Sequence, residues 1–296
     1  MQISRFRSIW GVDPGANLEK WKEWFPCLKR LGYSGVEVDI LVLNPEHDFV
    51  LLRDICDHLD LKISVVIFSS LPQSQGLRST GLNADIHLQR YREQLQLAAQ
   101  LRPVKINAQD GQDSWAPDES VKFYKGTLQI DSELGLSGVV CHETHRSRSL
   151  CNPYVTEYIL EQVPDLRITA DLSHWMLVCE RILDVRDDDR AVLAKVIPHV
   201  HHIHARIGTT QSSQCPDPTN PVFREERQCF ERLWQWVIKE RFEQDGDNVH
   251  ITFVPEYGPF PYHPYGSQKF YGAVADDEGA RLQAFFEEIG GKLTPA

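Results

Sequence analysis

The sequence predicts a single α/β domain over residues 1–296, folded as a (β/α)8 TIM barrel. Short β-like runs alternate with longer helical patterns along the chain, and eight β-then-α units fit within the 296 residues. This number of units and this length are typical of a TIM barrel. An open, doubly wound sheet is the structural alternative, but no G-x-G-x-x-G motif follows the first strand. No linker rich in proline, glycine and serine divides the chain, so we expect one domain.

The eight candidate strands are short, largely apolar runs separated by helical patterns, as expected for the strands of a parallel barrel. In chain order they cover residues 7–12, 35–40, 62–68, 104–109, 138–143, 167–172, 199–207 and 250–256.

Apolar residues recur at helical spacing between these strands. The pattern is clearest in three sets: Leu18, Trp21, Trp24, Phe25 and Leu28; Leu88, Tyr91 and Leu95; and Phe230, Leu233, Trp234, Val237 and Ile238. The last helix is predicted over residues 276–289. Two segments, 208–222 and 257–272, follow the seventh and eighth strands, where the loops of a TIM barrel build its active face.

Composition and charge limit the kinds of partner. The formal net charge of −11 disfavours a broad nucleic-acid surface, because phosphate contacts require a basic face. No apolar run approaches the roughly 20 residues of a membrane span, and the first residues lack the apolar region of a signal peptide. Seven cysteines without a C-x-x-C pair do not resemble a disulfide framework. We therefore expect a cytoplasmic protein that binds neither nucleic acid nor membranes, with oligomerisation left open.

Acidic and histidine residues cluster at the predicted ends of strands five to eight. Side chains alternate along a strand, so one face of each strand can be assigned to the barrel interior. By this rule Glu143, Asp171, His204 and Glu256 lie inside, each near the carboxyl end of its strand. Three carboxylates in a dry cavity repel one another unless a cation holds them. Three carboxylate oxygens and one imidazole suit Mn²⁺, Mg²⁺, Co²⁺ or Zn²⁺, so we predict one divalent metal ion at these residues.

Two histidines and an arginine are expected beside these residues. His145 shares the interior face of strand five, and His174 lies just beyond strand six. Arg206 shares the interior face of strand seven, where its guanidinium would suit an anionic or polyhydroxylated substrate. The same arginine would alternatively serve only to balance the carboxylates. Arg146 and Arg148 follow in the loop after strand five.

The remaining interior positions supply candidate substrate contacts. Polar side chains at interior strand ends are expected around a sugar-like ligand, and an aromatic ring offers a surface for stacking on it. The candidates are His202 on strand seven, Asn107 and Gln109 on strand four, and Trp10 near the end of strand one. Glu37 and Asp39 share the interior face of strand two, with no role assigned.

The acidic and histidine motifs resemble those of a known superfamily. Glu143, Asp171 in D-L-S-H, His204 in H-I-H and Glu256 in V-P-E resemble the metal ligands of the xylose isomerase-like TIM barrels. That superfamily includes sugar isomerases and epimerases, inosose and dehydroshikimate dehydratases, and endonuclease IV. The resemblance covers the whole chain in order and spacing, although only the motifs of the second half are specific.

The resemblance implies proton abstraction next to a carbonyl group. The metal ion would bind oxygens of a sugar-like or acidic keto substrate and stabilise the enediolate. Glu143, Glu256, His174 and His145 would then carry the proton transfers. Return of the proton to another carbon or face gives an isomerase or epimerase, which is the function that we predict. Loss of a hydroxyl group instead gives a dehydratase.

Departures from family patterns leave alternatives open. A ketose 3-epimerase would have a further glutamate and an arginine where this chain has Ser149 and Thr210. The order E-x-H, D-x-x-H, H-x-R resembles the dehydroshikimate dehydratases more closely. An endonuclease IV-like nuclease is disfavoured, because the histidine ligands of its third and fourth strands and its H-x-D motif have no counterpart here. A non-catalytic binding protein on the same scaffold is the remaining alternative.

Overall fold

The computed structural model describes residues 1–10, 12, 18–70, 82–259 and 270–293, except for the side chain of Asp247. Eight parallel strands form a closed barrel in which strands adjacent in the chain are adjacent in the sheet. The barrel closes between the first and last strands, where Ile3 lies opposite Ile251. This confirms the predicted (β/α)8 TIM barrel. The strands are β1 (Gln2–Ser8), β2 (Gly35–Asp39), β3 (Lys62–Phe68), β4 (Lys105–Gln109), β5 (Val140–Glu143), β6 (Ile168–Ala170), β7 (Val200–His204) and β8 (His250–Val254).

Helices follow the strands and cover the outside of the barrel. Val36 and Val38 of β2, for example, belong to the same apolar cluster as Phe25 and Leu28 of the first helix. The α-helices of the described residues are α1 (Leu18–Arg30), α2 (Asp48–Leu59), α3 (Ala84–Gln100), α4 (Pro117–Glu133), α5 (Pro153–Gln162), α6 (Leu172–Cys179), α7 (Asp187–Val196), α8 (Arg224–Asp245) and α9 (Tyr271–Leu293). One large apolar cluster lies under the helices of the second half and another under those of the first half.

Strand β1 begins earlier than predicted, and its two arginines explain the error. Strands of a parallel barrel are mostly apolar, so the charged segment before Arg7 does not indicate the earlier start of this strand, which was predicted over residues 7–12. Both side chains are nevertheless buried. The guanidinium of Arg5 packs 4.2 Å from the ring centre of Tyr33, and Arg7 pairs with Asp276 of α9 at 3.1 Å. These outer partners allow a charged strand to be buried.

Other predicted boundaries also differ, and strand β8 likewise stops earlier than predicted, at Val254. Strand β6 stops at Ala170, because the next residue, Asp171, caps α6 and accepts a hydrogen bond from the Ser173 backbone. Strand β7 stops at His204, earlier than predicted. Helix α9 extends beyond the predicted 276–289 at both ends.

The segments after β7 and β8 are joined to each other. The Gln214 side chain donates to the carbonyl of Gly258 at 3.1 Å and accepts from the Gly258 amide at 2.9 Å. In the predicted loop 257–272, residues 260–269 lie outside the described residues. No helix in the described ranges has the length and apolar character needed to cross a membrane.

Candidate metal centre

Four acidic or histidine side chains converge at the carboxyl ends of four consecutive strands. One ligand atom from each of Glu143, Asp171, His204 and Glu256 lies within 4.8 Å of the others. Glu143 and His204 end β5 and β7, Asp171 directly follows β6, and Glu256 lies two residues beyond β8. All four residues are buried, with at most 9% of their surface exposed. The barrel therefore brings these residues, which we name the four-residue cluster, to one point.

Glu37 of β2 orients the His204 ring. His204 Nε2 lies 3.2 Å from Glu37 Oε1, and because a carboxylate only accepts, Nε2 carries the proton. Nδ1 faces two other carboxylates, at 3.3 Å from Glu256 Oε2 and 3.7 Å from Glu143 Oε2. Three electron-pair donors that meet in a buried space require a positively charged species between them, either a proton or a metal ion.

Two side-chain amides from β4 hold Glu143. Asn107 Nδ2 and Gln109 Nε2 both donate to Glu143 Oε2, the second at 3.1 Å. These two residues were predicted as substrate contacts, and here they support a member of the four-residue cluster. The other carboxylate oxygen, Glu143 Oε1, is buried and has no hydrogen-bond partner.

Unsatisfied acceptors provide a test of whether a cation fits. Glu143 Oε1, His204 Nδ1 and Glu256 Oε2 are all buried without a hydrogen bond. Each buried acceptor without a partner costs about 1–3 kcal/mol. A divalent cation would satisfy all three at once, with Asp171 as a fourth ligand. The donor set therefore fits the predicted metal ion.

Arg206 partly neutralises this negative charge. Its Nη2 donates to Asp171 Oδ2 and lies 3.4 Å from Glu256 Oε2. The residue is buried, and its guanidinium carbon lies 5.8 Å from the ring centre of Trp10. Both Arg206 and Trp10 are thus at the four-residue cluster. The charge-balancing contacts are present, but they involve Asp171 and Glu256 rather than Glu143.

Burial and the neighbouring charges make the carboxylates unequal. Burial raises the pKa of Glu143 to about 7, opposed by His204 and reinforced by Glu256 and Asp171. Burial likewise raises the pKa of Asp171 to about 6, against the effect of Arg206. For Glu256, burial is outweighed by Arg206 and His204, and the pKa is lowered. Perturbed and divergent acidities of this kind are frequent at functional sites.

His145 and His174 lie beside the cluster with their ring centres 3.8 Å apart. His145 Nδ1 donates to the backbone carbonyl of Arg146, so Nε2 holds the lone pair. Guanidinium nitrogens contact both nitrogens of His174: Arg146 Nη1 lies 2.8 Å from Nδ1 and Arg206 Nη2 lies 2.8 Å from Nε2. A neutral imidazole accepts at one nitrogen only, so these two contacts compete.

The same two rings are held neutral. Burial is the main cause that lowers the pKa of His145 well below its ordinary value, followed by the charges of Arg148 and Arg146. Burial also lowers the pKa of His174, with His145 and Arg206 as further causes. At neutral pH both rings are therefore uncharged.

His202 lies on the other side of His204. Its Nδ1 is 3.1 Å from the carbonyl of Thr252 and 2.7 Å from the Thr252 hydroxyl, and its Nε2 is 3.5 Å from Glu37 Oε2. Burial lowers its pKa to about 4, although Glu37 acts in the opposite direction. These contacts support Glu37 and His204, and substrate binding by His202 stays a prediction.

The sequence assigned no role to Glu37 or Ser173, and it indicated Arg146 only as a loop residue near an anionic or polyhydroxylated substrate. Glu37 was recognised only as an interior polar residue, and strand alternation was the available signal. Ser173 is part of the D-L-S-H motif, and its hydroxyl donates a hydrogen bond to the Asp171 carboxylate. Arg146 directly follows the E-T-H motif. Its Nη1 lies 2.8 Å from His174 Nδ1 and donates to the Ser213 hydroxyl at 2.7 Å. The contacts of Glu37 and Arg146 depend on distant segments, which local patterns do not reveal.

No family model matches this sequence, and no curated protein matches it. Solved structures do match. A probable 3-DHS dehydratase, AsbF, involved in petrobactin synthesis in Bacillus anthracis, is similar with a TM-score of 0.57 and 13% identity, over 95% of this chain and 98% of that chain. A sugar phosphate isomerase/epimerase from Parabacteroides distasonis has a TM-score of 0.58 and 12% identity, over 96% and 94% of the two chains.

A third similar structure carries a different function. It is an AP endonuclease of family 2 from Brucella melitensis, with a TM-score of 0.55 and 12% identity, over 92% of this chain and 96% of that chain. At such identities the similarity establishes the fold and leaves the reaction open. The closed barrel and these structures together show that the chain has the fold of the xylose isomerase-like TIM barrels.

Proposed function

We propose that this protein is a divalent-metal-dependent enzyme of the sugar isomerase or epimerase type. Its reaction would begin with removal of a proton next to a carbonyl of a polyhydroxylated or acidic keto substrate. The observation that carries the proposal is the buried cluster of Glu143, Asp171, His204 and Glu256. It lies at the carboxyl ends of the strands, where TIM-barrel enzymes have their active sites.

The four residues of the cluster would hold the cation. Three carboxylate oxygens and one imidazole nitrogen suit Mn²⁺, Mg²⁺, Co²⁺ or Zn²⁺. A cation bound there polarises a substrate carbonyl and thereby acidifies the neighbouring C–H group. Asn107, Gln109 and Glu37 support this arrangement, because they fix Glu143 and the His204 ring.

Glu143, Glu256, His145 and His174 are the side chains that we assign to proton transfer. The Glu143 carboxyl group lies at the proposed cation, and before a cation binds, burial raises its pKa to about 7. His145 has a lone pair on Nε2, and its ring packs against that of His174. Together these groups would remove a proton from one carbon and return it to another position.

Arg206 and Trp10 are the proposed substrate-binding pair. A guanidinium offers two parallel donors to a carboxylate, a phosphate or vicinal hydroxyls. Because Arg206 already pairs with Asp171 and Glu256, cation binding to these carboxylates would release the guanidinium toward the substrate. His202, Asn107 and Gln109 would line the polar wall of the site.

A dehydratase is the second candidate, favoured by the adjacent rings of His145 and His174. Dehydration breaks a C–H and a C–O bond, forms a C=C bond and releases water. It therefore needs a base for the proton and an acid for the departing hydroxyl. Two imidazoles with centres 3.8 Å apart are suited to divide these roles.

Deuterium exchange tests the proposed reaction. The purified protein is analysed for metal, loaded with each candidate cation and incubated in D₂O with keto-sugars, inososes and dehydroshikimate. We expect deuterium to enter next to the carbonyl of at least one substrate, as measured by NMR. A product of unchanged formula indicates an isomerase or epimerase, and loss of water indicates a dehydratase. Asp171→Asn is the control, expected to lose both metal and exchange.

Two outcomes would replace the proposal. Cleavage of an oligonucleotide that carries an abasic site, without exchange on any keto compound, would favour a nuclease. Stoichiometric metal and ligand binding without turnover would favour a non-catalytic binding protein.

A further inference from the structure

A cavity of about 720 Å³ lies at the opposite end of the barrel from the four-residue cluster. It is bordered by the beginnings of β5, β6 and β7 and by parts of α4 and α8, and none of its lining residues belongs to the metal centre. Among the lining residues are Arg167, His199, His201 and Arg241.

Arg241 of α8 is a buried cation that donates to the Gln244 side chain and forms a long ion pair with Asp245. Only 2% of the residue is exposed, and its Nε is buried with no hydrogen-bond partner. Its Nη1 lies 2.7 and 2.6 Å from the two ring nitrogens of His201. A neutral imidazole does not cancel the charge of a guanidinium, and the Asp245 carboxylate is 3.8 Å away.

Arg167 forms another wall of the cavity. Its Nη1 donates to the carbonyl of Gly138 at 3.0 Å, so the backbone holds the guanidinium in place. A Cβ at Gly138 would lie 3.1 Å from that nitrogen, and φ there is +81°, so glycine allows this close approach. Within the described residues, no carboxylate oxygen lies within 4.0 Å of the Arg167 guanidinium.

The charged neighbours of His201 indicate a positive electrostatic potential at this residue. Burial is the main cause that lowers its pKa to about 2, and the next causes are the charges of Arg241, Arg167 and Lys105. The strongest charges that act on His201 are thus all positive, in a chain whose formal net charge is −11.

The cavity also has three carboxyl groups, which bear on what it would bind. Asp131 accepts a hydrogen bond from the Tyr91 hydroxyl at 2.7 Å, and burial raises its pKa to about 6. Asp165 and Asp245 complete the acidic lining. The lining therefore combines two guanidinium groups with carboxyl groups that would accept hydrogen bonds from ligand hydroxyls.

We propose that this cavity binds a small metabolite through an oxyanion, a phosphate or carboxylate group, held between Arg167, Arg241 and His201. The guanidinium groups of Arg167 and Arg241 would supply charge-assisted hydrogen bonds to the oxyanion. The cavity volume lies within the range of ordinary ligand pockets, roughly 300–1,000 Å³. This site is separate from the proposed metal centre and does not depend on the reaction that occurs there.

Titration calorimetry tests the proposal, with inorganic phosphate and citrate as probes at constant ionic strength. We expect a saturable binding component that Arg167→Gln weakens about tenfold or more, as for a lost charged hydrogen bond. Arg241→Gln should act in the same direction. Arg186→Gln is the matched control, since Arg186 is exposed and pairs with Asp188. The probe that binds more tightly distinguishes a phosphate from a carboxylate ligand.

The site of binding is checked with a second variant. Arg206→Gln removes the guanidinium proposed to bind an anionic substrate at the metal centre, so a binding component that only this variant loses belongs to that centre and not to the cavity. If Arg167→Gln binds the probes as tightly as the unmodified protein, or if Arg206→Gln alone abolishes binding, the proposal is overturned. Because Arg167 is only partly buried, its variant is expected to fold even if Arg241→Gln does not.

Discussion

His204 and its neighbours illustrate how single residues prepare the metal centre. Its Nε2 donates to Glu37, which leaves Nδ1 between Glu143 and Glu256. Groups that hold the second nitrogen of a histidine ligand fix its tautomer and its orientation. A carboxylate remote from the proposed cation thus determines how the imidazole is presented to it.

Replacement of Glu37 tests this role. Glu37→Gln keeps the size but removes the carboxylate, so we expect cation affinity to fall by roughly 10–100-fold. Calorimetric titration with Zn²⁺ or Mn²⁺ measures the change. Asp39→Asn is the control, because Asp39 lies on the same strand and accepts from the Leu41 backbone instead. Equal affinities in Glu37→Gln and the unmodified protein would mean that Glu37 does not orient His204.

His145 and His174 are predicted to transfer protons without binding the metal. His145→Ala or His174→Ala should leave metal content nearly intact and lower turnover by roughly 10²–10⁴-fold. Metal analysis and steady-state kinetics measure the two effects separately. Potential ligand atoms of Glu143, His145 and His174 also lie within 4.8 Å of one another. Loss of metal in both variants would therefore make the histidines ligands, and the four-residue assignment would be wrong.

Arg206 is predicted to bind the substrate in addition to its contacts with Asp171 and Glu256. Arg206→Lys keeps the positive charge and removes the two parallel hydrogen-bond donors of the guanidinium, whereas Arg206→Ala removes both the charge and the donors. If Arg206 holds an anionic group, both variants should raise KM, with a cost of about 1.5–3 kcal/mol for alanine. A purely charge-balancing role would appear as full rescue by lysine and as a lower Tm in the alanine variant. Unchanged KM in both variants would remove Arg206 from the substrate site.

At the scale of elements, each strand divides its side chains between two environments. In β2, Glu37 faces the polar interior near His204, whereas Val36 and Val38 join the apolar layer beneath the helices. In β7, His204 faces inward and His201 contacts Arg241 of α8. A shift of one residue in register would exchange these two sets of side chains, so the exact packing of the strands determines the site.

Gly35, the first residue of β2, is predicted to be essential for this packing. A Cβ there would lie 2.3 Å from the Lys62 carbonyl oxygen and 2.5 Å from the Phe6 ring. Since the backbone oxygen belongs to β3, we expect Gly35→Ala to lower the free energy of unfolding by about 1–3 kcal/mol. Gly291→Ala in α9 is the control, because a Cβ there meets nothing within 4 Å. Urea unfolding compares them, and equal stability of the two variants would contradict the prediction.

At the scale of the whole molecule, cation binding should be coupled to proton release. Burial raises the pKa of Glu143 to about 7 and that of Asp171 to about 6. For His204, burial is outweighed by Glu37, Glu256 and Glu143, and the pKa is raised well above its ordinary value. Protons therefore occupy the ligands at low pH and compete with the cation.

Cation affinity is predicted to depend on pH. Cation affinity should rise as the pH rises from about 5.5 to about 8, because the raised pKa values place deprotonation of the ligands in or above this window. Calorimetric titrations with Mn²⁺ at several pH values measure it. In Glu143→Gln the affinity should be lower throughout, and the component near pH 7 should disappear. An affinity independent of pH would contradict the assignment of these ligands.

Much of the architecture follows from local patterns in the sequence. Alternation of short apolar runs with helical periodicity determined the eight-stranded barrel, because both periods arise from the geometry of a single element. The period of two along a strand also predicted that Glu143, Asp171, His204 and Glu256 would share the interior, and parallel strands bring their carboxyl ends to the same edge. The convergence of these four residues could therefore be predicted from the sequence alone.

Only the closed tertiary structure decided the pairing of side chains. The first strand, predicted over residues 7–12, spans Gln2–Ser8, because Tyr33 and Asp276 accommodate its arginines. The pairing of Glu37 with His204 joins β2 to β7 across the barrel interior. The cavity at Arg167 and Arg241 likewise combines residues far apart in the chain. Sequence periodicity specifies the face on which a side chain lies, whereas its partner depends on which distant segments the barrel brings within contact distance.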